Sequence, residues 1–506
     1  MKSKKNILTG ILLLFCLLLQ AQTSPKREFR GAWISVIWQS QYQHMSVAKM
    51  KSYFLEMLDT FQSCNINALV FQVRPSADAF YYSEIEPWSR WLTGVQGQAP
   101  AGNFDPMAFL IEACHKRGME FHAWLNPYRV TASAGETLAV NHLFYRQPER
   151  FVRYGNQIYF DPGIPENRRY ICRIVKDIVT RYDVDAIHTD DYFYPYPVAG
   201  EKFPDDDSFF LYASSQGFSH FQRADWRRNN VNELIREIKN TIVLTKPWVR
   251  FGVSPFGIYR NKKSTLDHSG SDTNGLQNYD DLYADVLLWA EKGWIDYLVP
   301  QIYWEIGHPS ADYATLVDWW AKNKKGKGHL YVGQDAKRTM NATDPNDPAC
   351  NQLPRKMELQ RFFAQMDGCC WWSGYQLLEN KVLQNELKAN HQSAPALIPA
   401  YAHLHEKRPK DVKSLKTAWT ENGYMLHWKK NGDPENPENA QYYVIYRFKN
   451  KEKVNLDDPS KIVAKTGETF YFLPYERGKE KYKYVVTSVD HFHNETKKGK
   501  SKTVKL

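Results

Sequence analysis

The chain is poor in the signatures that would tie it to a metal, a nucleotide or a membrane interior. Its seven cysteines stand apart at positions 16, 64, 114, 172, 350 and 369–370, without the two close pairs that a structural zinc site needs. No glycine-rich loop reads as a phosphate cradle, no long internal repeat is visible, and no metal or other cofactor is called for. Beyond residue 21 no apolar run approaches the ~20 residues of a membrane-spanning helix. Positive charge is also scarce where a nucleic-acid reader would carry it. Of the net +10, Lys2, Lys4 and Lys5 supply +3 and residues 405–506 about +8, which leaves the long central region nearly neutral. The basic end, finishing in Lys497-Lys498-Gly499-Lys500-Ser501-Lys502, reads as a solvated face or an attraction to anionic envelope polymers rather than to nucleic acid.

What is present begins with a leader. Three lysines precede the apolar run Ile7 to Leu19, and the small residue Ala21 follows, the pattern of a secretory signal cleaved after Ala21. The expected mature protein is secreted or periplasmic, with no transmembrane segment. Cys16 lacks the small residues that precede a lipidated cysteine, so a lipoprotein is disfavoured. Secretion permits disulfides, but a core this large does not need them, and most cysteines read as small buried hydrophobes.

From residue 28 to about 390, short β-rich runs alternate with longer helical patterns. The strand candidates are 31–36, 68–74, 120–126, 185–190, 250–254, 297–303, 330–333 and 368–372. Eight such βα units fit an α/β fold of the (β/α)8 TIM barrel type with enlarged loops. Residues 391–404, with Pro395 and Pro399, read as a linker. Over 405–506 the periodicity changes to two, as in Tyr442-Tyr443-Val444-Ile445-Tyr446, and the turns carry Asn, Gly, Asp and Pro, which indicates an all-β sandwich. Its Trp428, Tyr446-Arg447 and Tyr484-x-Val486 pattern resembles a fibronectin type III domain.

The segment Val184-Asp185-Ala186-Ile187-His188-Thr189-Asp190-Asp191-Tyr192-Phe193-Tyr194-Pro195 carries the chemistry. It reads as a strand that ends in two adjacent carboxylates and passes into an aromatic loop. Asp commonly caps a following helix, but two together, beside His188 and Tyr192, suit acid–base work at the C-terminal mouth of a barrel. Strand side chains alternate, and parity sends Gln72 and Arg74, then His122, Trp124 and Asn126, then His188 and Asp190, then Gln301, Tyr303 and Glu305 towards one place. Asp191 has the wrong parity for a straight strand and reaches the cleft only if the chain turns after Asp190. Trp124 and Trp304, next to these polar groups, suit stacking on sugar rings; Trp319 and Trp320 read as helix packing.

Phe29-Arg30-Gly31-Ala32-Trp33, Phe71-Gln72-Val73-Arg74-Pro75, Ala123-Trp124-Leu125-Asn126-Pro127-Tyr128-Arg129, Thr189-Asp190-Asp191-Tyr192, Val253-Ser254-Pro255-Phe256-Gly257 and Pro300-Gln301-Ile302-Tyr303-Trp304, taken in order, resemble the glycosyl hydrolase-like family 10 of secreted bacterial barrels. The resemblance implies a glycoside hydrolase acting on an envelope polysaccharide, with peptide-free, N-acetylated peptidoglycan strands as the substrate. It makes Asp190, Asp191 and Glu305 the catalytic candidates and Gln72, Arg74, Trp124, Asn126, Tyr128, His188, Tyr192, Gln301, Tyr303 and Trp304 the substrate-binding ones. The seventh strand ends in Gln334 rather than the Glu nucleophile of retaining barrel glycosidases, with Asp335 after it. Asp190 with Glu305 could supply the two carboxylates of double displacement from the fourth and sixth strands; the adjacent carboxylates fit substrate assistance better, in which the 2-acetamido oxygen attacks the anomeric carbon. Asp191 is then the acid/base, Asp190 the orienter and Glu305 a tuning charge. The alternatives are a glycosidase of another polysaccharide, a catalytically silent glycan-binding protein and a structural envelope protein.

Overall fold

The computed structural model describes residues 24–341, 350–433 and 436–506; the expected signal at 1–21 lies outside them. One parallel sheet dominates. Its members are β1 (Phe29–Ile34), β2 (Ala68–Arg74), β3 (Glu120–Leu125), β6 (Ala186–Thr189), β7 (Arg250–Val253), β8 (Tyr297–Leu298), β9 (His329–Leu330), β10 (Val332–Asp335) and β11 (Gly368–Trp372). A hairpin of β4 (Phe151–Tyr154) and β5 (Gln157–Phe160) is inserted after β3. The sheet order β10-β11-β1-β2-β3-β6-β7-β8-β9 begins and ends on two halves of one strand, for only Tyr331 separates β9 from β10. Leu330 pairs with Leu298, Gly333 bridges Gln301, and Val332 to Asp335 pair with β11, so eight staves close into the expected TIM barrel.

The helices form because each presents an apolar stripe behind a good cap. Ser46 accepts from Lys49 N at 3.2 Å to start the helix Val47–Ser63, which buries Met50, Phe54, Met57, Leu58 and Phe61. Asp105 accepts from Met107 N and Ala108 N, with Pro106 at the first helical position of Pro106–Lys116. These stripes meet the outward strand residues Leu69, Phe71, Val73, Phe121, Ala123 and Ile187 in one large cluster.

The barrel interior is a smaller, separate cluster built on Phe29, Trp33, Val70, Trp124, Tyr297 and Tyr331. The Tyr297 ring fits only because its neighbour is Gly252, where a Cβ would lie 1.9 Å from the ring. Along the barrel axis the polar side chains form a continuous chain of hydrogen bonds. Trp33 Nε1 donates to His188 Nε2 at 3.3 Å, Ser254 Oγ lies 3.0 Å from the same nitrogen, and His188 Nδ1 meets Tyr297 Oη at 3.1 Å. Tyr297 Oη in turn lies 2.8 Å from His122 Nδ1, and His122 Nε2 donates to Glu120 at 2.9 Å. Burial, with His122 nearby, depresses the His188 pKa well below its usual value and keeps that ring neutral.

The C-terminal part is a β-sandwich. One sheet holds β12 (Lys413–Thr420), β13 (Gly423–Lys429) and β16 (Phe470–Phe472); the other holds β14 (Tyr442–Lys449), β15 (Ile462–Thr466), β17 (Lys481–Val489) and β18 (Lys500–Lys505), all antiparallel. The segment read as a linker is packed rather than free. Leu397 bridges Arg27 and joins the sandwich core, while Ile398 and Tyr401 plug the floor of the barrel. The sandwich also reaches that floor directly: His493 Nε2 lies 2.7 Å from Glu120, Arg250 donates to His491 O at 3.0 Å and Gln441 to Asp185 at 3.1 Å. Arg250 also pairs with Glu120, so the lower end of the axial chain is a buried ion pair roofed by the second module.

Candidate active site

The mouth of the barrel holds a cavity of about 350 Å³ lined by the Asp190–Asp191 pair, Asp335, Gln301, Ser254 and a cage of aromatic rings. Asp190 is placed by the inward parity of β6. Its carboxylate accepts from Trp124 Nε1 at 3.1 Å and from Asn126 Nδ2 at 3.1 and 3.2 Å, both projecting from the end of β3. It also accepts from Tyr192 N at 3.3 Å, two residues on. That local turn swings the chain round and brings Asp191 into the cavity despite its parity. No helix starts here, for the next one runs Asp206–Tyr212, so the capping role is not the one taken.

Asp191 is 1% exposed. Gln301 Nε2 donates to it at 3.0 Å, and Tyr196 Oη donates to its other oxygen. Burial and the adjacent charge of Asp190 push its pKa up to about 7. Asp190 is also raised by burial, opposed by Arg129 and by its Asn126 and Trp124 donors. The two carboxylates are thus pushed apart, and the proton near neutral pH belongs to Asp191.

The rings set the shape. Tyr303 lies parallel to Trp372 with centroids 6.2 Å apart and edge-on to Trp33 at 6.5 Å, and Trp124 stands against Trp372 at 6.2 Å. Trp304 meets Phe256 at 5.5 Å on the far wall. Beyond Asp190 the cleft continues into a second wing of about 710 Å³, bounded by Trp38, Gln72, Arg129, Tyr192 and the β4–β5 hairpin residues Tyr154–Gln157. Trp124, Asp190, Tyr192, Tyr196 and Trp372 line both wings, so the carboxylates sit between them.

Of the residues expected at this mouth, Asp190, Asp191, Trp124, Tyr192, Gln301, Tyr303 and Trp304 converge on the cavity, and Gln72 lines the second wing. Gln72 Oε1 also accepts from Val36 N at 3.0 Å, which ties the end of β1 to the cleft. Asn126 lies one layer back and holds Asp190, and His188 lies beneath the cavity as part of the axial chain. Three residues are elsewhere. The register of β2 shifts between Gln72 and Arg74, so Arg74 pairs with outward Leu125 instead of continuing the inward set. Its guanidinium is fully buried against Glu86 at 2.6 Å and donates to Pro127 O at 3.0 Å. Tyr128 is fully buried among core residues behind the barrel wall. Glu305 lies past the end of the sixth stave, outside the cavity lining, where its charge acts on the buried Lys356.

The cavity also includes Trp33, Tyr196, Ser254, Phe256, Asp335, Arg338 and Trp372, which were not among the expected site residues. Gln334 faces the outer layer and donates to Gln360 at 3.1 Å, so Asp335 is the carboxylate that the seventh stave brings to the cavity. Its position after Gln334 was the signal for it. Arg338 comes from the helix that Asp335 caps and has no strand-parity signal.

A closed barrel whose mouth gathers buried carboxylates within an aromatic cleft suits glycoside hydrolysis, and the comparisons with known proteins agree. The family model "Glycosyl hydrolase-like 10" matches residues 28–350, and the chain belongs to that family. It is 41% identical over 495 residues to glycosyl hydrolase YngK of Bacillus subtilis (strain 168), covering 96% of this chain and 94% of that one. It is 37% identical over 325 residues to glycosyl hydrolase DigH of Escherichia coli (strain K12), covering 60% and 72%. A solved structure, the PgaB (BpsB) glycoside hydrolase domain from Bordetella bronchiseptica, superposes with a TM-score of 0.48 at 10% identity, covering 72% of this chain and 99% of that one.

Proposed function

We propose that this protein is a secreted or periplasmic hydrolase of N-acetylated envelope glycan, with peptide-free peptidoglycan strands as its substrate. The observation that carries the chemistry is Asp191, a carboxyl buried at the cavity wall whose pKa is pushed up to about 7, so that it can hold a proton near neutral pH and pass it to a leaving oxygen. Asp190 stays its charged neighbour and orients the substrate's 2-acetamido group. The acetamido oxygen attacks the anomeric carbon as Asp191 protonates the departing glycosidic oxygen. Water then opens the resulting oxazolinium ring, giving its proton to the Asp191 carboxylate and restoring the acid. The leader, the aromatic cleft and the family resemblance support the substrate and the compartment. The three- and four-stranded sheets of the C-terminal module support its reading as a fibronectin type III-like domain.

A second reading draws on Asp335, which lines the same cavity from the seventh stave. In double displacement it would be the nucleophile, with Asp191 as acid/base. One experiment tests both: release of reducing ends from peptide-free glycan strands by wild type, Asp190→Asn, Asp191→Asn and Asp335→Asn. Substrate assistance expects Asp190→Asn and Asp191→Asn to lose at least about a hundredfold in turnover while Asp335→Asn keeps most of it. A dead Asp335→Asn with a trapped glycosyl ester moves the mechanism to double displacement. No reducing ends from wild type would sink the substrate assignment.

A further inference from the structure

The second wing of the cleft carries one basic side chain among the described residues, Arg129, whose charge helps to keep Asp190 ionised but which has no contact with either carboxylate. Its backbone is fixed on both sides of the chain: Arg129 N donates to Asn126 Oδ1 at 2.9 Å, and the residue bridges Tyr159 of the hairpin. Its side chain is fixed as well. The guanidinium lies over the Tyr192 ring with its carbon 4.6 Å from the centroid, and Tyr196 stacks on Tyr192 with ring centroids 5.0 Å apart. Arg129, Tyr192 and Tyr196 therefore form a three-layer stack that ends on Asp191 through the Tyr196 hydroxyl.

Stacking occupies the flat face of a guanidinium and leaves its N–H edge free. Among the described residues that edge makes no hydrogen bond and no ion pair. Asp190, the single acid lining the wing, stands beyond ion-pair distance and is already held by Trp124, Asn126 and Tyr192 N. The nearby acids are engaged elsewhere: Glu136 accepts from Ala132 N and pairs with Arg90, and Glu201 accepts from Gly155 N. The other polar side chains of the wing include Gln72, Asn156 and Gln157, which suit sugar hydroxyls. A half-buried, immobilised guanidinium with no acid of the wing within ion-pair distance leaves its donor edge for a ligand to satisfy. A planar donor edge matches a carboxylate best, through two parallel hydrogen bonds.

We infer that this wing is a subsite for an acidic sugar residue, whose carboxylate pairs with Arg129 while the neighbouring residue of the chain sits over Asp190 and Asp191. The inference rests on the glycan reading above and narrows it, because a glycan whose carboxylates are capped as amides loses this contact. It makes Arg129 a specificity determinant rather than a catalytic group.

The test uses soluble oligomers of alternating N-acetylglucosamine and N-acetylmuramic acid, with the lactyl carboxylates either free or converted to methylamides. For the wild-type protein the KM of the free acid should be lower by about tenfold or more, the scale of one charge-assisted contact. Arg129→Gln should bring the ratio of the two KM values close to one, and Arg129→Lys should leave it between the two. A wild-type ratio near one overturns the inference. So does a ratio that survives in Arg129→Gln while kcat falls equally on both oligomers, since Arg129 would then act only by tuning Asp190. Titration of Asp191→Asn with each oligomer separates the two levels of the argument. If wild type cleaves neither oligomer, the peptidoglycan reading fails, yet tighter binding of the free acid still supports the subsite, and equal or absent binding overturns it.

Discussion

The surroundings of two neighbouring aspartates differ by a few hydrogen bonds and one turn. Asp190 has Trp124, Asn126 and the Tyr192 amide as donors, whereas Asp191 has Gln301, Tyr196 and the negative charge of Asp190 beside it. A folded-state pKa of about 7 against about 3.9 for the unfolded chain means that the native state binds the extra proton between those values. Stability therefore falls as pH rises through that window and levels off above about 7. Asp191→Asn removes the charge and can keep both hydrogen bonds. Relative to wild type it should gain stability progressively from pH 4 to 8, on the order of a few kcal/mol, in chemical denaturation at several pH values, while losing turnover. A gain that is the same at pH 4 and pH 8 would show that Asp191 is not raised. The rate should follow the same proton, declining above about pH 7. In Asp190→Asn the residual activity should decline from a lower pH, because the neighbouring charge that holds the proton on Asp191 is gone. Glu305 stands outside the cavity lining, so Glu305→Gln should keep turnover within a few-fold.

At the level of strands and loops, what was legible in the sequence followed from period two. It placed Gln72, Trp124, Asn126, Asp190 and Gln301 on the inner face, where they are found. It failed where the ladder is irregular. The shift after Gln72 turns Arg74 outward, and a bulge is a backbone event that side-chain alternation does not announce. The sixth stave pairs regularly only over Tyr297–Leu298 before Pro300, so Gln301 keeps its place through single bridges to Phe256 and Gly333, and Glu305 drifts away. Asp191 shows the converse, since a turn restores a residue that parity excluded. The stack of Arg129 on Tyr192, between segments far apart in the sequence, left no trace in spacing at all. Arg74 now carries a prediction of its own. Arg74→Met strands the Glu86 charge in the core and should cost about 3–5 kcal/mol, as other broken buried pairs do. Arg74→Met with Glu86→Leu should recover much of that loss in urea unfolding. A substrate-binding Arg74 would instead raise KM with little change in stability.

Across the whole molecule the two modules are joined through the bottom of the barrel, opposite the cleft. Glu120 starts β3 and receives Arg250, His122 and His493, and the last of these comes from the sandwich. Asp185 immediately precedes β6, accepts from Gln441 of the sandwich at 3.1 Å and lies 2.9 Å from His115, whose pKa, against the opposing effect of burial, is raised to about 9 chiefly by that carboxylate. Tyr401 covers the same floor, with the Arg250 guanidinium over its ring at 5.4 Å. The basic surface of residues 405–506 suggests a tether to an anionic wall, held by salt-sensitive attraction and separable from catalysis. The buried contacts favour a structural base instead. Removing the sandwich would open Glu120 and Arg250 to water at one end of a hydrogen-bonded chain whose other end, at Trp33 and His188, supports the floor of the active-site cavity. We expect deletion of residues 405–506 to lower the melting temperature and the turnover of a short soluble glycan together, at any salt concentration. His493→Ala in the full chain should reproduce part of the thermal loss, because it strips one partner from a buried carboxylate. A truncated protein that melts and turns over like the full chain, yet sediments less with sacculi at low salt, would instead establish the tether.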